Sequence, residues 1–176
     1  MNLGLRRDLD VNDFLLDPVR HNNWATRRLV AFCRDLGLAQ ERLTIAGVGF
    51  GGILATLNHV IRSDASYLHA LLGRHPAWLE DDGDTDLDGL AKWAAETEEL
   101  WEELLARPID MDRVIVVDGG ANEVRAGIFL AQALNHANHH RAQVCATLTE
   151  LGVQPPDIQA WEYAWATGRL WVRTGK

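Results

Sequence analysis

The chain has 176 residues, of which 47% are hydrophobic and 24% charged, a balance that excludes global disorder and suffices for one domain's core without disulfides. Its 17 basic and 25 acidic side chains give a formal charge of -8, which argues against nucleic acid or an anionic membrane as the main partner. The departures from average composition are seven histidines and seven tryptophans.

Residues 1–176 read as a single domain, with neither an internal repeat nor a linker. The opening MNLGLRRDLDVND carries charges where an export signal needs an apolar run. Cys33 and Cys145 form no disulfide framework, so a cytoplasmic chain with reduced thiols is expected. A first helix is expected over 13–36, with Leu29, Phe32, Cys33 and Leu36 at helical spacing and Gly37 as its stop. The uncharged stretch 43–61 contains GVGFGG, Asn58 and His59 and lies between Arg42 and Arg62. It suits a buried helix with an irregular entry rather than a membrane span. A second helix over 51–72 presents Ile53, Leu57, Val60, Ile61, Leu68 and Leu71, and Gly73 ends it.

The connection HPAWLEDDGDTDLDG reads as a solvated loop whose aspartates cap the next helix. Without EF-hand spacing it does not read as a calcium loop. A third helix is expected over 88–106, closed by Pro108. The β-branched run Val114 to Val117, the turn Asp118-Gly119-Gly120 and Glu123-Val124-Arg125 then suggest a small hairpin. A fourth helix over 127–151 stops at Gly152, and DIQAWEYAWATGRLW can form a short aromatic helix. The tail's Trp161, Tyr163 and Trp165 suit a core cap, a cavity wall or a dimer surface. The fold class is all-α, a helix bundle with one hairpin before its last long helix.

The chemistry concentrates in LNHANHHRAQV. His136 and His140, four residues apart, project about 40° apart on a helix, close enough to share a metal, while His139 lies about 60° to the other side. On the helical wheel the apolar sector holds Phe129, Ala133, Val144, Leu148 and Leu151. His140 falls inside that sector and His136 on its border, so both point inward. His59 on the second helix is surrounded by Gly52, Ala55, Thr56, Ser63, Ser66 and Ala70, small residues that pack helices closely or leave room for a cavity. Three neutral imidazoles with an open position suit a divalent first-row metal, which turns a bound water or thiol into a nucleophile near neutral pH. Against this stands the commoner role of a helical histidine as a hydrogen-bonded core residue. The residue after His136 is Ala137, so no HExxH general base is present. His21, His69 and His75 have no such pairing, and His21 is only an outlying candidate for the pocket.

Gln143 and Thr147 lie near the His136 direction and either orient a ligand or are plain helix-edge polar residues. Arg141 and Asp64 fall within apolar sectors. They either form a buried ion pair or snorkel outward at the bundle edge.

These segments resemble the DinB superfamily of DinB/YfiT-like metal-dependent proteins over nearly the whole chain. HNNWATRRLVAFC is similar to the family's first helix and GGILATLNHVIRSDASYL to its second, which carries the first metal histidine. LNHANHHRAQVCATLTELGVQPPD resembles its histidine-rich last bundle helix. Ala142 stands where members commonly have Gly, and Gly52 where Ser is frequent; neither is a ligand position. The resemblance implies a four-helix bundle of up-down-down-up topology, often a homodimer, with His59, His136 and His140 binding nickel or zinc. It also implies that the metal activates water or a low-molecular-weight thiol, for hydrolysis of or transfer to a small molecule. The alternative is a non-catalytic, stress-associated bundle that binds metal or ligand.

Overall fold

The structure, a computed structural model, describes residues 13–37, 43–44, 51–81 and 85–173. The charged N-terminal segment 1–12, most of the GVGFGG entry and the acidic stretch 82–84 lie outside the described residues. Four long helices form: α1 (Asp13–Asp35), α2 (Ile53–Leu72), α3 (Leu87–Leu105) and α4 (Ala126–Glu150). A short α5 (Ala160–Ala166) follows, and β1 (Val114–Val117) with β2 (Asn122–Arg125) makes an antiparallel hairpin between α3 and α4. α1 packs against α3 and α4, and α2 packs against the same two. No helix among the described residues is long and apolar enough to cross a membrane.

Local chemistry sets the helix ends. α2 starts two residues later than its apolar period suggests. Gly51 has φ +124, and Gly52 is an extended N-cap. A Cβ on Gly52 would lie 2.6 Å from the Leu43 carbonyl oxygen and 2.8 Å from the Thr44 backbone, so the close approach of that backbone requires glycine here. Gly73, left-handed at φ 77, ends α2. Asp86 caps α3 by accepting a hydrogen bond from the Gly89 amide at 2.9 Å, the aspartate cap expected from the sequence.

The hairpin pairs Val114 with Arg125 and Val117 with Asn122, closed by a turn in which Asp118, Gly119 and Gly120 all have positive φ. It is anchored at both ends. Arg113 donates to the Leu71 carbonyl at the end of α2 at 2.8 Å, and the Ala126 amide at the start of α4 donates to the Arg113 carbonyl at 2.9 Å.

The interior has two apolar clusters separated by a polar layer. One cluster gathers Leu29 and Cys33 of α1, Leu57 and Ile61 of α2, Leu90 and Ala94 of α3, and Val144 and Leu148 of α4. The other gathers Val19, Leu68, Trp101, Leu130 and Ala133 from the same four helices. Between them, on every helix, stand buried polar residues: Asn22 and Thr26, Asp64, Thr97, and Arg141. Among the tryptophans only Trp101 is fully buried, whereas Trp161 and Trp165 of the tail are 74% and 54% exposed. The tail's core residue is Tyr163, packed edge-on against Trp24 of α1.

Candidate metal centre

The site lies where α2 and α4 face each other. His59 comes from the middle of α2, and His136 and His140 from successive turns of α4. Their ring centroids form a near-equilateral triangle with sides of 4.8, 4.8 and 4.5 Å. One candidate ligand nitrogen from each lies within 4.8 Å of the other two, and all three rings are half-buried. His59 Nε2 and His136 Nε2 are 3.0 Å apart. Two nitrogens bound to one ion at about 2.0–2.1 Å, at angles between a right angle and tetrahedral, stand about 2.8–3.4 Å apart. The donor set, and the spacing of this pair, therefore fit a divalent metal ion.

Electrostatics favours the ligand form of these rings. Burial, reinforced by the facing His140, His59 and His139, lowers His136 to about 4, and burial with His140 also lowers His59. Both are therefore neutral at pH 7, with a lone pair available.

Gln143 fixes the third ring. His140 Nδ1 donates to Gln143 Oε1 at 2.6 Å, which leaves Nε2 as its unprotonated nitrogen. The same amide's Nε2 donates to His139 Nε2 at 3.1 Å, and this second bond sets which way the amide points. His136 Nδ1 is buried without a hydrogen-bond partner among the described residues, so its tautomer depends on what meets Nε2.

Thr147 is buried and its hydroxyl donates to the Gln143 carbonyl one turn back at 3.1 Å. His140 stands on the border of the buried face beside His136 and not inside it. The buried line of α4 runs through Ala133, Ala137, Arg141 and Val144, because Arg141 is a core residue. Arg141 and Asp64 are both buried, as one of the two readings had it, but they make no direct ion pair. Asn22 joins them: Arg141 donates to Asn22 Oδ1 at 2.7 Å, and Asn22 Nδ2 donates to Asp64 at 3.3 Å. Arg141 also donates to Thr26 Oγ1 at 3.0 Å. Burial raises the Asp64 carboxyl to about 7 against the opposing pull of Arg141 and Asn22, and lowers Arg141 to about 10.

His21, the outlying pocket candidate, instead donates to the Ile158 carbonyl at 2.9 Å and ties α1 to the segment before α5. His69 and His75 pack against each other with ring centroids 4.6 Å apart.

Two residues near the site escaped the sequence reading. Asn22 carried a usable signal, since it occupies an apolar position between Val19 and Thr26 of α1. Tyr67, whose ring stands edge-on to His136 at 6.0 Å, carried none, because its neighbour comes from a helix distant in sequence.

The family model that matches this chain is that of the DinB family, over residues 11–174. No curated protein matches it.

Proposed function

The chain belongs to the DinB family, and from that premise we propose that His59, His136 and His140 hold a divalent transition metal, nickel or zinc, that serves chemistry on a small-molecule substrate. The convergence of three half-buried imidazoles from two helices carries this reading. A divalent ion on such a site lowers the pKa of water or a thiol far enough to supply a nucleophile at neutral pH. The protein's own part is positional. α2 and α4 present the three rings, burial keeps two of them neutral, and Gln143 holds the His140 tautomer. The reaction is hydrolysis, in which water's hydroxyl joins the acyl carbon and the leaving group departs with the proton, or thiol transfer, in which the sulfur bonds to the electrophilic carbon and the displaced group departs with the thiol proton.

We assign the chain an up-down-down-up bundle. The order of the apolar clusters supports it: α1 and α4 run from the Trp101 cluster to the Leu57 cluster, and α2 and α3 run the opposite way. We further assign it a cytoplasmic location, no nucleic-acid or membrane partner, and a homodimeric state. The free thiols of Cys33 and Cys145 support the first, the net charge of -8 the second, and the exposed Trp161 and Trp165 the third.

A second reading is favoured by the way the triad bridges two helices: the ion staples α2 to α4 in a non-catalytic, stress-associated binding protein. Elemental analysis of untagged protein is expected to give one nickel or zinc per chain, lost in His59→Ala and His136→Ala. Metal-free protein whose stability is indifferent to those substitutions would sink the site. An ester and amide panel, with thiol-dependent transfer, then separates the two readings. Turnover that vanishes in a folded His140→Ala variant supports catalysis, and metal-raised stability without turnover supports the staple.

A further inference from the structure

A cleft of about 610 Å³ opens between α2, α4 and the hairpin, within the size range of small-molecule sites. Its walls include Tyr67 and Ala70 of α2, Val116 of the hairpin, and Ile128, Phe129 and Gln132 of α4. None of the three histidines lines it, but two of its lining residues adjoin His136. Gln132 lies one helical turn before His136, and Tyr67 stands edge-on to the His136 ring at 6.0 Å. Ser66 and Ala70 continue the small-residue strip that carries His59, and their short side chains leave the groove open on that side.

The chemistry of the walls is one-sided. Val116 and Ile128 are 61% and 58% exposed at the rim, although both are large and apolar, which is the mark of a surface meant for contact. Among the described residues the lining has neither lysine nor arginine, and its ionisable groups are Asp118, His69 and the Tyr67 phenol. The guanidinium groups of Arg27, Arg28 and Arg34 gather in a separate cavity lined from α1 and α3, the two long helices that carry none of the three histidines. An anionic group in the cleft would thus meet no arginine or lysine, only the single imidazole of His69, and would give up hydration for little compensation.

We propose that this cleft is the specificity pocket of the histidine triad and receives the uncharged alkyl or aryl arm of a neutral substrate whose reacting group lies beside His136. The inference rests on the metal-site reading above and narrows its substrate class. Neutral acyl compounds are accepted, and carboxylate-bearing molecules, acidic thiols included, are disfavoured.

The test uses the full chain loaded with cobalt(II), whose visible spectrum reports ligands at the ion, and three hydroxamate probes. Acetohydroxamate has no arm, octanohydroxamate has an apolar arm, and succinate monohydroxamate has an anionic one. Octanohydroxamate is expected to bind at least tenfold more tightly than acetohydroxamate, and the succinyl probe no more tightly. Ile128→Ser, at an exposed position that the fold tolerates, is expected to shrink the octanoyl advantage severalfold. Gln132→Lys, also exposed, is expected to shift preference toward the succinyl probe. If acetohydroxamate perturbs the spectrum but the octanoyl arm adds nothing, or its advantage survives both substitutions, the pocket is overturned and the metal site stands. If cobalt(II) itself fails to bind, both fall.

Discussion

The bond from His140 Nδ1 to Gln143 Oε1 gives the sharpest quantitative handle on the site. At 2.6 Å it is short, and it places the ring proton on Nδ1 so that Nε2 keeps its lone pair. In Gln143→Ala that acceptor is gone, and the ring must be oriented again each time an ion binds. Loss of a partner of this kind typically weakens metal binding by about 10–100-fold, or about 1.4–2.7 kcal/mol. Gln143 is only half-buried, so water can replace part of the lost acceptor, and the expected loss is near the lower end, about tenfold. Gln143→Glu offers a stronger acceptor and is expected to keep or raise affinity. His139→Ala removes only the bond that aims the amide, and about threefold or less is expected. Zinc competition against a chromophoric chelator, at fixed pH and salt, reads all three variants on one scale. The reasoning fails if Gln143→Ala binds within twofold of the parent while His136→Ala loses the ion.

Three further outcomes follow from the geometry. Asn22→Ala removes Arg141's bond to the Asn22 side chain and the side-chain donor to Asp64. It is expected to cost about 3 kcal/mol in urea unfolding, and a loss below about 1 kcal/mol would contradict the bridging role. Gly52→Ser puts a Cβ 2.6 Å from the Leu43 oxygen and is expected to destabilise by about 1–3 kcal/mol as backbone is forced aside; an unchanged unfolding midpoint would refute the close approach.

The third outcome concerns pH. His136 is held down at about 4, whereas the unfolded side chain titrates near about 6.5. Between those values the unfolded chain binds more protons than the folded one. Metal-free protein therefore loses stability as pH falls through that window and recovers it above. His136→Asn is expected to flatten this part of the stability–pH curve, and superimposable curves for the two proteins would count against the assignment.

The sequence was most legible where one local signal decided the outcome. Gly73 and Asp86 could be read as helix punctuation because a left-handed stop and a carboxylate cap are local chemistry. The i, i+4 spacing of His136 and His140 carries over directly to neighbouring rings on α4. Placing His59 beside them relied on the small residues around it and on family resemblance, since no local rule joins residues 77 positions apart. The wheel misjudged His140 because it drew the apolar sector through Phe129 and Leu151, which are only partly buried, whereas the buried line runs through Ala137 and Arg141. The direct ion pair failed for a related reason. Two opposite charges in apolar sectors suggest contact, but Asn22 on a third helix occupies the space between them. The cleft beside His136 was beyond reach, because its walls come from three elements whose packing no periodicity encodes.

The buried polar layer also has a consequence for how the helices are indexed along their axes. Purely hydrocarbon faces tolerate a slide of one turn, about 5.4 Å, with modest loss. Here such a slide would carry Arg141 or Asp64 off Asn22 and into one of the flanking apolar clusters, at the steep cost of an unpaired buried charge. The layer therefore acts as a detent, much as one polar position fixes the stagger of a coiled coil. His59 stands five residues before Asp64 and His140 immediately before Arg141, so the same detent sets the level at which the imidazoles meet. The triad is held in line by residues that do not belong to it, and it is preorganised before any ion arrives.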